Sequence, residues 1–217
     1  MISNKTQKIK AAITAIGGYV PEDFISNKDL EKMVDTNDEW ITARTGIKKR
    51  RILKKEGKAT SYLAINAANN LIKKKKLDPN TIDLVIVSTI TPDFHGASTA
   101  PTVAAQINAY NGYAFDINAA CSGFLFGMST ATSYIESGRY NKVLLIGADM
   151  MSSIVDYTDR STSILFGDGA GAVLIEPSDN DFGWEDEFLR SDGIGAEWLK
   201  IKAGGSLYPT SKETFEN

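Results

Sequence analysis

The chain of 217 residues holds a single cysteine, Cys121, so an internal disulfide is excluded. With no bridge to maintain, a reducing cytoplasm is the expected setting. Histidine is equally scarce, His95 being the only one. No stretch reaches the about 20 consecutive apolar residues that a bilayer-crossing helix requires, and no membrane association is expected. Low-complexity segments and short-period repeats are absent, which excludes solenoids and arrays. A formal net charge of −3 leaves no general positive excess to draw the chain to nucleic acid or anionic lipid. What remains is ordinary globular material, with 42% hydrophobic residues, enough for one large domain or two small ones.

Lys8-Ile9-Lys10 followed by the apolar run Ala11 to Val20 imitates the start of a signal peptide. Gly17-Gly18 interrupts that run and Pro21 ends it, so it is read as a first buried strand closed by a turn. Apolar strands then alternate with amphipathic helices, the pattern of an α/β fold. Ser26 with Asp29, and Thr36 with Glu39, predict two capped helices, the second passing Trp40 and stopping at Gly46. Leu63, Ala64, Ala67, Ala68, Leu71 and Ile72 form one stripe of a helix over Thr60 to Lys76. Leu84 to Thr89 and Val143 to Ile146 read as strands covered on both faces, and Thr99 to Asn108 as a short helix. Ile164 to Phe166, Gly167-Asp168-Gly169 and Ala172 to Ile175 predict a tight hairpin. Composition turns acidic and glycine-rich after Pro177, giving a domain over 1–178 and a connecting stretch over 179–217.

Cys121 lies between a predicted strand, Tyr113 to Ile117, and a helix running to about Ser137 and stopped by Gly138. A thiol is a useful nucleophile only as thiolate, and a strand-to-helix turn surrounds it with unpaired N–H groups and the positive end of a helix dipole. Ala119, Ala120, Ser122 and Gly123 are small enough for a sharp turn and for the approach of a substrate. The logic is that of a nucleophile elbow, without its GxSxG pattern. A lone cysteine is also commonly a small buried hydrophobe, and spacing alone leaves both readings open. A triad of Cys121, His95 and Asp116 has no support, because nothing in the sequence brings the three together. Lys48 to Arg51, with Lys54, Lys55 and Lys58, forms a basic cluster, read as a solvated loop or as an attractor of acidic partners or phosphates.

The segment DINAACSGF, Asp116 to Phe124, resembles the active-site segment of the β-ketoacyl-acyl-carrier-protein synthase III family. MVDTNDEWITARTGI (Met33 to Ile47), LLIGADMMSSIVDYTDR (Leu144 to Arg160), FGDGAGAVL (Phe166 to Leu174) and LRSDGIG (Leu189 to Gly195) resemble it in the same order. The resemblance implies a thiolase-like α/β fold, a mixed sheet covered by helices, the first of two duplicated halves stacked as α-β-α-β-α. It implies a homodimeric acyltransferase that initiates fatty-acid synthesis. Acyl-CoA, such as acetyl-CoA, acylates Cys121, and the acyl group condenses with malonyl on acyl carrier protein with loss of CO₂.

In that resemblance Cys121 matches the nucleophile. Trp40, Arg44 and Arg160 match residues that hold the CoA nucleotide, Thr36 sits in the same segment, and Phe166 matches a residue lining the acyl pocket. An indole and a guanidinium stack on adenine, and arginine suits phosphate. Gly167, Asp168, Gly169 and Gly171 become turn residues, not a phosphate loop. No cofactor and no metal is implied, since CoA enters as a thioester substrate. The family's catalytic histidine, asparagine and glycine-rich oxyanion segment come from the second half and match no position here, so the chain is expected to be a fragment that does not complete condensation. Gly96-Ala97-Ser98 is small where some relatives carry a bulky residue limiting the pocket, which leaves primer length open. Other thiolase-fold acyltransferases, such as a hydroxymethylglutaryl-CoA synthase or a secondary-metabolite ketosynthase, and a non-catalytic half-domain are the competing readings.

Overall fold

A computed structural model describes residues 9–178 and 181–216, so Lys8 and the start of the 179–217 connection lie outside the described residues. In chain order the first unit contains β1 (Ala11–Tyr19), β2 (Phe24–Ser26), α1 (Asn27–Leu30), α2 (Asp38–Thr45), β3 (Lys49–Arg51), α3 (Thr60–Lys75), β4 (Leu84–Ser88) and α4 (Thr99–Gln106). It continues with β5 (Tyr113–Ile117), α5 (Gly123–Glu136), β6 (Val143–Met150), α6 (Arg160–Ser163) and β7 (Asp168–Pro177). Compactness divides the chain after Glu185, and the unit that follows holds a 3₁₀ turn, Gly193–Glu197, and α7 (Lys212–Glu216). Among the described residues, no helix is long and apolar enough to cross a membrane.

Five strands form a mixed sheet in the order β1-β7-β6-β4-β5. β4 runs parallel to both β5 and β6, while β7 is antiparallel to β6 and β1. Alternation along the strands assigns each side chain to a face. Val85, Val87, Leu144, Ile146 and Leu174 pack with α3 and α4, whereas Leu84, Ile86, Leu145, Val173 and Ile175 pack with Met128, Ala131 and Ile135 of α5. Both faces are therefore covered, which is why β4 and β6 read as unbroken apolar runs. Each fully buried leucine or isoleucine contributes about 1.5–3 kcal/mol. α3 lies so close to β1 that a Cβ on Gly17 would stand 2.4 Å from the Ala67 carbonyl oxygen and 2.6 Å from the Leu71 nitrogen.

Capping residues set the helix ends. Ser26 and Asp29 make the expected reciprocal box on α1. α2 is capped by Asn37, whose side chain accepts from the Trp40 N–H, and not by Thr36. The C-cap Gly46, at φ 71°, takes the left-handed conformation that ends a helix cheaply. The predicted hairpin over 164–175 does not form. Asp168 to Pro177 is one strand paired on both edges, and α6 with a turn precedes it. The Asp168 carboxylate is the reason: Leu53 N–H and the Ser152 hydroxyl donate to it at 2.7 Å, and the Ser152 N–H at 2.8 Å, which pins the glycine pair to the sheet. The basic cluster is likewise no solvated loop throughout, since Lys49 to Arg51 is β3, antiparallel to β2, and Arg50 is 3% exposed.

Candidate active site

β5 delivers the chain to Ile117, and after five intervening residues α5 begins at Gly123. Between them Ala120 is left-handed at φ 47° and Ala120–Ser122 forms a 3₁₀ turn. Left-handed backbone costs a non-glycine residue roughly 1–2 kcal/mol, so a sharp turn is being held here by its surroundings. The Ser122 N–H donates to the Ala119 carbonyl at 3.2 Å, which closes the turn and leaves Cys121 at its outer side, exposed. Exposure removes the reading of Cys121 as a small core hydrophobe. α5 has 14 residues, and among the described residues its N-cap Ser122 makes no capping hydrogen bond with its side chain, which leaves the first amides of the helix without that cap. Gly123 gives α5 a close seat on β4: a Cβ there would meet the Ser88 hydroxyl oxygen, so a larger residue displaces one or the other.

Cys121 lines a cavity of about 330 Å³ at the carboxyl ends of β4 and β6, together with Ser88, Phe124, Gly147, Asp149 and Met151. Its far wall comes from the start of β7 and the residue before it, Gly167, Gly169, Ala170 and Gly171, all without bulk. Phe166 is half-buried, one residue outside that wall. The Asp149 carboxylate accepts from the Thr89 hydroxyl and the Ile90 N–H at 2.9 Å and from the Thr91 hydroxyl at 3.1 Å, fixing the exit of β4 beside the cavity. Ser88, Asp149 and Met151 were not singled out from the sequence. A signal for them existed, because sites in α/β sheets gather at the carboxyl ends of parallel strands.

A second cluster forms on α2 and α6. The Arg44 guanidinium stands 4.2 Å from the centre of the Trp40 ring and the Arg160 guanidinium 5.2 Å from it. Arg160 also donates to the Asp35 carbonyl at 3.0 Å, while Trp40 packs on the small core of Leu30, Ile41 and Ile164. Three residues 120 positions apart at the extremes thus share one ring. Thr36 is half-buried in the same segment, and its hydroxyl has no hydrogen-bond partner among the described residues. Two guanidinium groups beside one indole offer an anion and a flat ring a joint binding surface. His95 is exposed in the loop after β4, and both Asp116 oxygens accept from the α4 amides of Thr99 and Ala100 at 2.6 and 2.7 Å, so no triad with Cys121 is assembled. Among the described residues no group of acidic, cysteine and histidine side chains is arranged to hold a metal.

A family model described as 3-oxoacyl-[acyl-carrier-protein (ACP)] synthase III matches residues 115–193. The chain is 56% identical over 210 residues to β-ketoacyl-[acyl-carrier-protein] synthase III of Chlorobium chlorochromatii, covering 96% of this chain and 64% of that protein. It is 52% identical over 211 residues to β-ketoacyl-[acyl-carrier-protein] synthase III 2 of Bacteroides thetaiotaomicron, covering 97% of this chain and 63% of that one. The fold is similar to the crystal structure of 3-oxoacyl-[acyl-carrier-protein] synthase III from Aquifex aeolicus, with a TM-score of 0.75 at 49% identity over 78% of this chain and 55% of that one. The chain therefore spans somewhat less than two thirds of the length of these relatives. In sequence and in its thiolase-like mixed sheet, the chain belongs to the β-ketoacyl-acyl-carrier-protein synthase III family.

Proposed function

We propose that Cys121 accepts an acyl group from acyl-CoA, as the first step of a β-ketoacyl-acyl-carrier-protein synthase III reaction. The Cys121 sulfur attacks the thioester carbonyl, a new carbon–sulfur bond forms, the bond to CoA breaks, and the thiol proton of Cys121 ends on the departing CoA. Trp40, Arg44 and Arg160, with Thr36 beside them, hold the nucleotide of CoA, and Phe166 with the glycine wall bounds the acyl chain. In the whole protein the malonyl group of malonyl-acyl carrier protein then loses CO₂, its carbanion joins the acyl carbon, and Cys121 is released. The histidine and asparagine that the family resemblance assigns to this second step match no position among the 217 residues. Of these two steps the residues described above account for acylation, and we read 179–217 as a connecting stretch after the domain over 1–178. Acyl carrier protein as partner, assembly as a homodimer and a cytoplasmic location are parts of the same proposal, resting on the resemblance.

One observation supports this reading above the others: an exposed thiol, on a strained elbow at the start of a 14-residue helix, lining a cavity of small residues. A non-catalytic half-domain has no use for that strain. Incubation with acetyl-labelled acetyl-CoA is expected to leave thioester-bound label on the chain and none on the Cys121→Ser variant. Equal labelling of the two overturns the assignment.

A further inference from the structure

We infer that Asn27 and Arg50 are positioning residues that set the Trp40–Arg44–Arg160 cluster and the Gly167 wall of the Cys121 cavity in register. This rests on the proposed function for the roles of those two sites, and on geometry for the link between them. Arg50, in the middle of β3, is 3% exposed, and Asn27, at the start of α1, is 1% exposed. Among the described residues Arg50 has no carboxylate partner within ion-pair distance, so its charge is held by dipoles. Its Nε donates to the Ile164 carbonyl at 2.7 Å, Nη2 donates to the same oxygen, and Nη1 donates to Asn27 Oδ1. Burial pushes the guanidinium down from its ordinary value, and the neighbouring Tyr157 opposes this.

Asn27 spends its other end on α2. Its Nδ2 donates to Asp38 Oδ1 at 2.6 Å, to the Ile47 carbonyl at 2.8 Å and to the Thr42 hydroxyl at 3.3 Å, bracketing the helix that carries Trp40 and Arg44. Ile164 directly follows α6, which carries Arg160, and lies three residues before Gly167. Gly167 in turn rests on β3, since a Cβ there would stand 3.0 Å from the Arg51 carbonyl oxygen and 3.3 Å from the Arg50 Cβ. Both arms that meet over the Trp40 ring are thereby tied to one buried node, and the same node fixes the cavity wall. A guanidinium is suited to this because its rigid planar fork aims donors on separate nitrogens at two separated acceptors, where an ammonium carries all its donors on one atom. A buried charge without a carboxylate is expensive to keep for packing alone, as apolar residues of similar volume are often as stable or more so.

Two variants separate the arms. Asn27→Asp keeps an acceptor for Arg50 and removes the donors that reach α2, placing a carboxylate against Asp38. Arg50→Met removes the tie to both arms. Hydrogen exchange and acyl-CoA titration of Cys121 acylation are measured on the whole chain. In Asn27→Asp, exchange of the 38–45 amides should quicken about tenfold or more and that of 164–168 less than about twofold, as expected when buried hydrogen bonds are lost on one side only. The half-saturating acyl-CoA concentration should rise about tenfold, with the rate at saturation held within about twofold. Arg50→Met should loosen both segments and change both parameters. The inference is overturned when Asn27→Asp loosens 164–168 as much as 38–45, or when neither variant alters either segment. A wild-type chain that takes up no acyl group while the exchange pattern holds sinks the proposed function and leaves the node standing.

Discussion

Substituting Gly123 by alanine tests how tightly the start of α5 is seated beneath Cys121. The backbone there is ordinary right-handed helix, φ −56° and ψ −39°, so alanine brings no conformational strain. Helix propensity alone would favour the change by up to about 1 kcal/mol. Against this, the new methyl would sit 2.2 Å from the Ser88 hydroxyl oxygen and 3.6 Å from the Ser88 Cβ. Either the serine leaves its rotamer or the first turn of α5 moves away from β4, an overpacking cost of typically about 1–3 kcal/mol. Steric conflict is therefore the larger effect, and it acts on the turn that carries Cys121 to the extent that Ser88 does not give way. Removing the hydroxyl with Ser88→Ala leaves only the ordinary 3.6 Å contact, so Gly123→Ala in that background should be neutral or stabilising. A double-mutant cycle by denaturant unfolding should give a coupling of about 1–3 kcal/mol between the two positions. Cys121 alkylation by iodoacetamide should slow in the single variant and recover in the double. Zero coupling, or a Gly123→Ala protein as stable and as reactive as the parent, refutes the close packing of α5 on Ser88.

Asp168→Asn should cost about 1–3 kcal/mol, because the amide turns a donor towards buried N–H and O–H groups. At this chain length each kcal/mol lowers the thermal midpoint by about 2–4 °C, and an unchanged midpoint contradicts the role given to Asp168. The Asp159 carboxyl at the cap of α6 is held below its ordinary 3.8 by the Ser161 side chain first, then the Ser161 amide and Thr162. A depressed carboxyl contributes stability in full above its ordinary value and loses it as pH falls through the folded value. Asp159→Asn should therefore lose less stability than the parent between about pH 5 and pH 2, and identical acid profiles would count against the cap. Trp40→Ala removes the ring that both guanidinium groups face, and should weaken CoA binding by about 1–2 kcal/mol, or about 5- to 30-fold, in calorimetric titration. Unaltered affinity would place the nucleotide elsewhere.

Much of this architecture is legible along the chain, and the exceptions share a cause. The stripe of α3, the run of β4, the stop at Gly46 and the elbow around Cys121 follow from neighbours within a few residues. Thr36 is the expected cap of α2, but Asn37, the next residue and also a good capping type, takes that position. The hairpin over 164–175 fails because the Gly167-Asp168-Gly169 turn signal is overruled by hydrogen bonds from Leu53 and Ser152, which lie 115 and 16 positions away. Arg50 looked solvated because it stands in a run of like charges, while its acceptors lie 23 and 114 positions distant. Charge runs report exposure only on average, and one member turned inward is invisible without the partner that receives it. Cavity residues such as Ser88 and Asp149 hid for a related reason: their meaning comes from strand order, which no single segment reveals.

Acyl transfer to the elbow cysteine is tested most directly by peptide mapping of the chain after incubation with acetyl-CoA. The account predicts an acetyl thioester confined to the peptide that contains Cys121. An unmodified Cys121 peptide, or acetyl groups found only on lysine, would contradict it.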